Sequence, residues 1–391
     1  MGPQPGEPPI HSSVALGQYR RRMSDADKEG LDFRVRRDDW SRCEFVTNEL
    51  SLEPLAGGVL FKVDRFALTA NNITYAVAGD MLDYWGFFPA DEGWGRIPVM
   101  GFADVLASSH PAVAVGERVF GFFPMSRHLL IEAEREGDSV IIDASPHRSA
   151  HALFYRQYTP VASDPLYQAV GGAEREDALM IFRGLFMTSF LADDYLAESD
   201  FGGAREVVVI SASSKTAIAL AWALSRRDGV SVTGLTSPGN REFVEGLGCY
   251  DKVVTYDALD EIDDACPLGF VDMAGNADVL RSLHERCGDN VKFSLLIGVT
   301  HWQQSGDTTG LPGAAPEFFF APTQAEKRVG DWGAAGFQER VGGALVQFLE
   351  WTDDWLQLRR ASGPEAMERV YRDTLKGGLD PSVGRLLSPW D

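Results

Sequence analysis

Ser211-Ala212-Ser213-Ser214-Lys215-Thr216 is the stretch of this chain best suited to hold an anion. Its small side chains let a phosphate approach the backbone N–H groups. The Ser211, Ser213, Ser214 and Thr216 hydroxyls can donate to it, and Lys215 adds a cation. Val207-Val208-Val209-Ile210 before it is apolar and β-branched, and Ala217 to Leu224 has the composition of a tightly packed helix. A strand, a tight turn and a helix start in that order leave first-turn N–H groups unpaired, where the helix dipole favours negative charge. The chemistry implied is binding of a pyrophosphate. The usual fingerprint has glycines where this chain has serines. The nucleotide triphosphatase alternative needs Gly-x-x-x-x-Gly-Lys-Ser/Thr, and both of its glycines are missing here.

The end of the following strand selects between the nicotinamide dinucleotides. An acid there binds a ribose 2′-hydroxyl, whereas polar or basic residues accommodate a 2′-phosphate. Gly234-Leu235-Thr236-Ser237-Pro238-Gly239-Asn240-Arg241 has no acid before Glu242. Thr236, Ser237, Asn240 and Arg241 can all donate to phosphate, and Lys215 can approach from the turn, so the expected cofactor is NADP(H). Ser237-Pro238 also suits a helix start whichever cofactor binds. After a fifth strand comes Gly298-Val299-Thr300-His301-Trp302. The carboxyl end of a parallel strand faces the ligand, which puts Gly298 beside the cofactor. His301 can act there as acid or base, or hold the nicotinamide carboxamide, although a lone histidine is more often structural. Trp302 can wall a substrate pocket.

These residues need a parallel sheet to position them. Strands read at Val207–Ile210, Val230–Thr236, Lys252–Tyr256, Gly269–Met273 and Val291–Val299. Helices alternate with them, one of them Pro238–Leu247 with its stop at Gly248 and another Ala277–Cys287. That alternation gives an α/β fold with a doubly wound parallel sheet. A helical period over Glu174–Glu198 precedes it. Residues 335–376 read as helices. Phe33 to about Leu130 has a different texture, with short apolar runs such as Gly58–Leu68, Gly101–Leu106 and Arg118–Phe123 broken by Gly and Pro. This half is expected to be β-rich, a barrel or folded sheet. Residues 1–30 are polar and Pro-rich, begin without the apolar core of a signal peptide, and read as a disordered arm.

The chain has 391 residues, enough for two domains, and 45% of them are hydrophobic. No apolar run approaches the ~20 residues that span a membrane. A net charge of −21 disfavours nucleic acid and anionic membrane surfaces as partners. A phosphorylated small molecule needs only a local basic site. Cys43, Cys249, Cys266 and Cys287 form no Cys-x-x-Cys pair, so neither a disulfide framework nor a structural zinc site is expected, and a reducing cytoplasm is the expected compartment.

Several segments carry a family resemblance. Leu55–Val63 looks like an opening barrel strand, and Thr69-Ala70-Asn71-Asn72-Ile73-Thr74-Tyr75 follows it. Val115-Gly116-Glu117-Arg118-Val119-Phe120-Gly121 is similar to a Gly-Asp-x-Val strand, and Val271-Asp272-Met273-Ala274-Gly275 to a strand ending in Asp-x-x-Gly. Lys376-Gly377-Gly378-Leu379-Asp380-Pro381 is similar to a Gly-x-x-Pro segment. In this order they resemble the medium-chain dehydrogenase/reductase superfamily, on its zinc-free quinone-reductase and enoyl-reductase side, and an uncharacterised branch of it known as a domain of unknown function. The resemblance implies a GroES-like β-rich catalytic domain over 31–172 and 335–391 and a Rossmann domain over 173–334. Homodimers are common in that family. Phe102 stands where its zinc enzymes carry a histidine in Gly-His-Glu, and no Cys–His–Cys set accompanies it, so no metal is expected.

A zinc-free reductase needs a hydride from the nicotinamide, a group that polarises the substrate carbonyl, and a proton donor. The resemblance puts an active-site Asn in the 69–75 segment. Asn72 can donate to a carbonyl there and Tyr75 can deliver the proton. Turn hydrogen bonds for Asn72 and packing for Tyr75 are the equally weighted alternative. Tyr84 and Trp85, and further along Phe319, can line an apolar pocket with Trp302, although such aromatic runs are more often core. The expected function is NADPH-dependent, zinc-independent reduction of an activated carbonyl or alkene in a small molecule. A non-redox lyase or hydrolase with a repurposed dinucleotide site is the alternative reading, and a non-catalytic binding protein is the third.

Overall fold

The computed structural model describes residues 29–49, 57–137, 140–273, 275–297 and 310–391. Most of the expected N-terminal arm, and Gly298, His301 and Trp302, lie outside the described residues. The chain divides into two compact units. One holds the chain up to Ile181 with Leu358–Leu379 and Gly384–Asp391; the other holds Phe182–Gln357 with Asp380–Val383.

In the first unit, β1 (Glu29–Arg36) and β2 (Cys43–Glu49) form an antiparallel hairpin. β3 (Gly58–Ala67) leads into helix α1 (Ala70–Val77), and short β4 (Trp94–Gly95) pairs with β1. Then come β5 (Pro98–Ser108), β6 (Arg118–Pro124), β7 (His128–Glu136), β8 (Val140–Asp143) and β9 (Gln157–Pro160). Their order β3-β5-β6-β9-β8-β7 closes into a ring because β7 also pairs with β3. Closure removes the exposed edges that an open sheet would carry. β3 is the hinge of this arrangement. Gly58–Lys62 pairs with β7, whereas Phe66 and Ala67 pair with a strand from the C-terminal end. A bulge between Val63 and Arg65 lies where the partner changes. Short helix α2 (Pro165–Ala169) and the start of α3 (Glu176–Glu198) complete the N-terminal part of the unit.

The second unit alternates strand and helix. β10 (Glu206–Ile210), α4 (Lys215–Leu224), β11 (Ser231–Thr236), α5 (Arg241–Gly246), β12 (Lys252–Thr255), β13 (Leu268–Asp272), α6 (Ala277–Cys287), β14 (Val291–Leu296) and β15 (Pro316–Phe318) follow in order. All pairings are parallel, in the order β12-β11-β10-β13-β14-β15. This is the 3-2-1-4-5-6 order of a Rossmann sheet. β10, with residues Glu206–Ile210, is buried throughout, as a central parallel strand must be. The α4 side chains Ala217, Ile218, Leu220, Ala221 and Leu224 join Val207, Val209 and Val271 in one core.

The C-terminal part differs in detail from a run of helices. α7 (Ala321–Thr352) turns at Gly333, where φ is +72°, and sends Phe337 and Val341 into the core of the second unit. Residues 335–352 therefore pack with the Rossmann sheet, and the return to the barrel unit begins at Leu358. A strand, β16 (Gln357–Ser362), separates α7 from α8 (Pro364–Lys376), and β17 (Val383–Ser388) ends the fold. The expected helix at 238–247 starts as a 3-10 turn over Pro238–Asn240 before α5. Among the described residues no helix is long and apolar enough to cross a membrane.

Candidate functional site: a dinucleotide turn and a tyrosine cluster

Ile210 and Asp272 stand side by side at the carboxyl ends of β10 and β13. The chain leaves β10 towards β11 on one side, and β13 begins the other half of the sheet. This is the switch point at which such sheets bind ligands. Ser211 sits at φ +65°, the left-handed region that explains why glycine is usual here. Its carbonyl accepts from Ser214 N at 2.8 Å, closing the turn. Ser214 is the N-cap of α4 and its Oγ accepts from Ala217 N at 3.2 Å. The remaining N–H groups of that first turn open at the carboxyl edge of the sheet.

The turn is supported from β11 and β12. Tyr250 OH donates to Ala212 O at 2.9 Å, and Asn240 Nδ2 donates to Ser213 Oγ at 3.0 Å. Ser211 Oγ and Tyr256 OH lie 3.2 Å apart. Gly234 is needed for this packing, since a Cβ there would come within 2.8 Å of Tyr250 and 3.0 Å of the Ala212 Cβ. Lys215 Nζ donates to the Pro381 and Val383 carbonyls at 3.2 and 2.9 Å. Thr216 O accepts from Ser189 Oγ at 2.8 Å. Thr236 is buried at the end of β11, and Ser237 opens the 3-10 turn after it. Arg241 is exposed and pairs with Glu245 at 2.8 Å. That hydrogen bond raises its pKa first, with Glu261 and Asp257 adding smaller charge effects.

In the first unit, the segment expected to supply an Asn is α1. Asn72 Oδ1 accepts from Thr69 N at 2.7 Å and its Nδ2 donates to Pro98 O at 2.8 Å, so this amide caps the helix and ties it to β5. Asn71 is the amide that meets Tyr75, one helical turn on. Tyr75 is buried and packs edge-on against Tyr84 with ring centroids 4.8 Å apart. Tyr84 in turn packs on Tyr155 at 6.0 Å, and their hydroxyls are hydrogen-bonded. Burial pushes all three phenols above their ordinary value. The Tyr155 bond eases the rise at Tyr84 and adds to the rise at Tyr155. Either hydroxyl can be the donor, and a phenol in such a pair that does not spend its proton on the other can give it to a bound molecule.

Two other aromatic candidates are packed away. Trp85 is buried against Gly79 and Gly95. Phe319 sits in the core of the second unit beside Tyr195, with ring centroids 5.6 Å apart. Phe102, which stands at the expected zinc-ligand position, packs on Phe120 at 5.2 Å beneath the Arg118 guanidinium at 5.1 Å. Among the described residues no group of three or more His, Cys, Asp or Glu could hold a metal ion. Tyr155, Tyr250 and Tyr256 were not anticipated, and within the candidate 69–75 segment the residue singled out was Asn72 and not Asn71. Only Asn71 carried a local signal, its i,i+4 spacing to Tyr75.

A family model described as "Protein of unknown function (DUF2855)" matches residues 66–380. No curated protein matches the chain. Among solved structures, CurA from Vibrio vulnificus superposes with a TM-score of 0.55 at 13% identity, covering 93% of this chain and 99% of that one. TarJ from S. aureus, in complex with NADPH, gives 0.54 at 10% identity with coverage of 93% and 99%. The quinone oxidoreductase from Coxiella burnetii gives 0.51 at 14% identity with coverage of 92% and 99%. At such identities the likeness is one of fold. The fold is that of the medium-chain dehydrogenase/reductases, a GroES-like barrel unit and a Rossmann unit.

Proposed function

The chain belongs to the family described as a protein of unknown function, DUF2855, and from its own residues we propose that it is an NADP(H)-dependent oxidoreductase. It reduces an activated carbonyl or alkene of a small molecule without zinc. One observation carries the reading. The Ser211–Thr216 turn heads α4 at the switch point of a sheet with Rossmann strand order. The donor set fits a dinucleotide. The α4 N-terminus with the Ser213 and Thr216 groups would hold the pyrophosphate, and Thr236, Ser237 and Arg241 would take the 2′-phosphate. When bound, the nicotinamide supplies a hydride. Two of the similar structures support the class of chemistry, one being a complex with NADPH and the other a quinone oxidoreductase.

The barrel unit supplies the acid. Tyr84, paired with Tyr155, is the candidate proton donor, and Asn71 with Tyr75 offers a second polarising pair. The raised phenol pKa values keep these groups protonated across neutral pH. Phe102, standing where the zinc enzymes of the medium-chain superfamily carry a histidine, supports zinc independence.

The test is a titration of the full chain with NADPH and NADH, followed by nicotinamide fluorescence, and then hydride consumption with quinones, enones and aldehydes. We expect NADPH to bind in the micromolar range, and Arg241→Ala to reduce the NADPH over NADH preference by about 10-fold, roughly 1.4 kcal/mol. Tyr84→Phe should lower kcat by about 100-fold, whereas Tyr75→Phe should cost less. Binding of neither dinucleotide would overturn the reading. Binding without hydride consumption would favour the non-redox alternative. That alternative draws its support from Lys215 and Arg241 already having protein partners.

A further inference from the structure

The turn that carries Tyr84 is held from outside itself. Asp83, just before it, has φ +53°, a left-handed conformation unusual for a residue with a side chain. Its carboxylate folds over Gly86, where a Cβ would come within 2.6 Å of it. His151 Nε2 meets both Asp83 O and Asp83 Oδ2 at 3.1 Å. Both partners are acceptors, so Nε2 carries the proton. The His151 side chain is 6% exposed, its ring meets Phe87 edge-on at 4.6 Å, and its Nδ1 is buried with no partner among the described residues.

Arg148 works from the same segment. It is completely buried and donates to Phe87 O at 2.8 Å and to Tyr155 O. Its guanidinium lies over Phe87 at 4.6 Å and over Phe88 at 4.9 Å, with Asp143 Oδ2 3.7 Å from Nε. One cation thus fixes the backbone just after Tyr84 and the backbone of Tyr155 itself. The rings of Tyr84, Tyr155 and His151 all pack on Phe87, at 5.3, 4.9 and 4.6 Å.

We infer that Arg148 and His151 are positioning residues that set the Tyr84 and Tyr155 hydroxyls against each other, acting through the Asp83–Phe87 turn and the Tyr155 backbone. The inference rests on the reading of that pair as the proton-donating site. A geometry set by contacts to two backbone carbonyls and one strained Asp is specific. Loss of one donor should misalign the hydroxyls without unfolding the barrel.

The test uses the full chain labelled with 3-fluorotyrosine, the Tyr84 and Tyr155 resonances being assigned by Tyr→Phe variants. In His151→Phe, which keeps the aromatic contact with Phe87 but has no donor, both resonances should shift while those of Tyr256 and Tyr371 stay. In the same variant kcat for NADPH consumption should fall about 10-fold with KM for NADPH unchanged. His151→Gln, whose amide can still donate to Asp83, should restore most of both signals. Arg148→Lys should shift the Tyr155 resonance with circular dichroism unchanged. Unaltered Tyr84 and Tyr155 resonances in His151→Phe would overturn the inference, and so would a His151→Gln variant as impaired as His151→Phe. If the wild-type protein consumes no NADPH, the reading of the reaction fails, and the fluorine resonances still decide the placement.

Discussion

Lys215, the first residue of α4, carries a charge where the helix dipole disfavours one. Donation from its Nζ to the Pro381 and Val383 carbonyls offsets that cost and ties residues 380–383 to the Rossmann turn. The spacing Ser-Ser-Lys-Thr suggested a phosphate ligand, and the geometry suggests a structural clamp. The two roles predict different outcomes. As a clamp, Lys215→Met should lower stability by about 2 kcal/mol, since hydrogen bonds from a charged donor contribute about 1.5–3 kcal/mol each, part of which water recovers. Urea denaturation would show it, together with faster amide exchange at Ser382 and Val383. NADPH affinity should change by less than about 3-fold, a difference well under 1 kcal/mol. Unchanged stability with a large loss of affinity would return Lys215 to the phosphate.

At the scale of elements, α6 depends on His284. This fully buried side chain meets Pro312 O through Nδ1 at 2.9 Å and Ser294 Oγ through Nε2 at 2.9 Å. The carbonyl can only accept, so Nδ1 donates and Nε2 accepts from the serine in the neutral ring. Burial lowers its pKa below 6.5, and the Pro312 bond only partly opposes that. A histidine depressed in the folded state binds its proton more readily when unfolded. Its contribution is therefore full above pH ~6.5 and is lost as pH falls towards the folded value. The thermal midpoint of the wild type should drop between pH 7 and pH 5 relative to His284→Gln measured alongside. Parallel curves would show that His284 does not titrate with unfolding. The element that carries the site, β10 with its turn and α4, was legible because a β-branched run, a Ser N-cap and an Ala-rich helix each send a local signal. β16 was not, because Gln357–Ser362 is polar and almost wholly exposed and has no apolar period. Choosing between Asn71 and Asn72 required the phase of α1, as neighbours on a helix point about 100° apart. His151 and Tyr155 could not be found from sequence, since His151 meets Asp83 across 68 residues of chain and nothing local marks the pairing.

The whole molecule carries 57 acidic and 36 basic side chains, a net charge of −21. Such a surplus repels itself in the compact state more than in the unfolded chain. Attractive pairs work against this, and they fall into two kinds. Exposed pairs such as Arg241–Glu245 and Arg372–Glu368 contribute about 0–1 kcal/mol each and weaken with salt. Glu176 is different, with its side chain 4% exposed, Arg65 and Arg118 each at 2.7 Å and Tyr167 OH at 2.8 Å. Burial alone would raise its pKa, but the Arg118 hydrogen bonds and charge lead the opposing effects and hold it below the usual carboxylate value. A pair of that kind is little screened. Salt therefore acts mainly on the unpaired surplus and on the weak exposed pairs, and the surplus is the larger quantity. The Debye length shrinks from ~30 Å at 0.01 M to ~8 Å at 0.15 M, so most of the repulsion should disappear over that range. The thermal midpoint at pH 7.5 should rise, by about 1 °C for each kcal/mol relieved at roughly 2.1 cal/mol/K of unfolding entropy per residue, and level off above ~0.2 M NaCl. A midpoint that falls over the same range would mean that the exposed pairs outweigh the repulsion, and that the acidic surplus is spread too thinly to oppose folding.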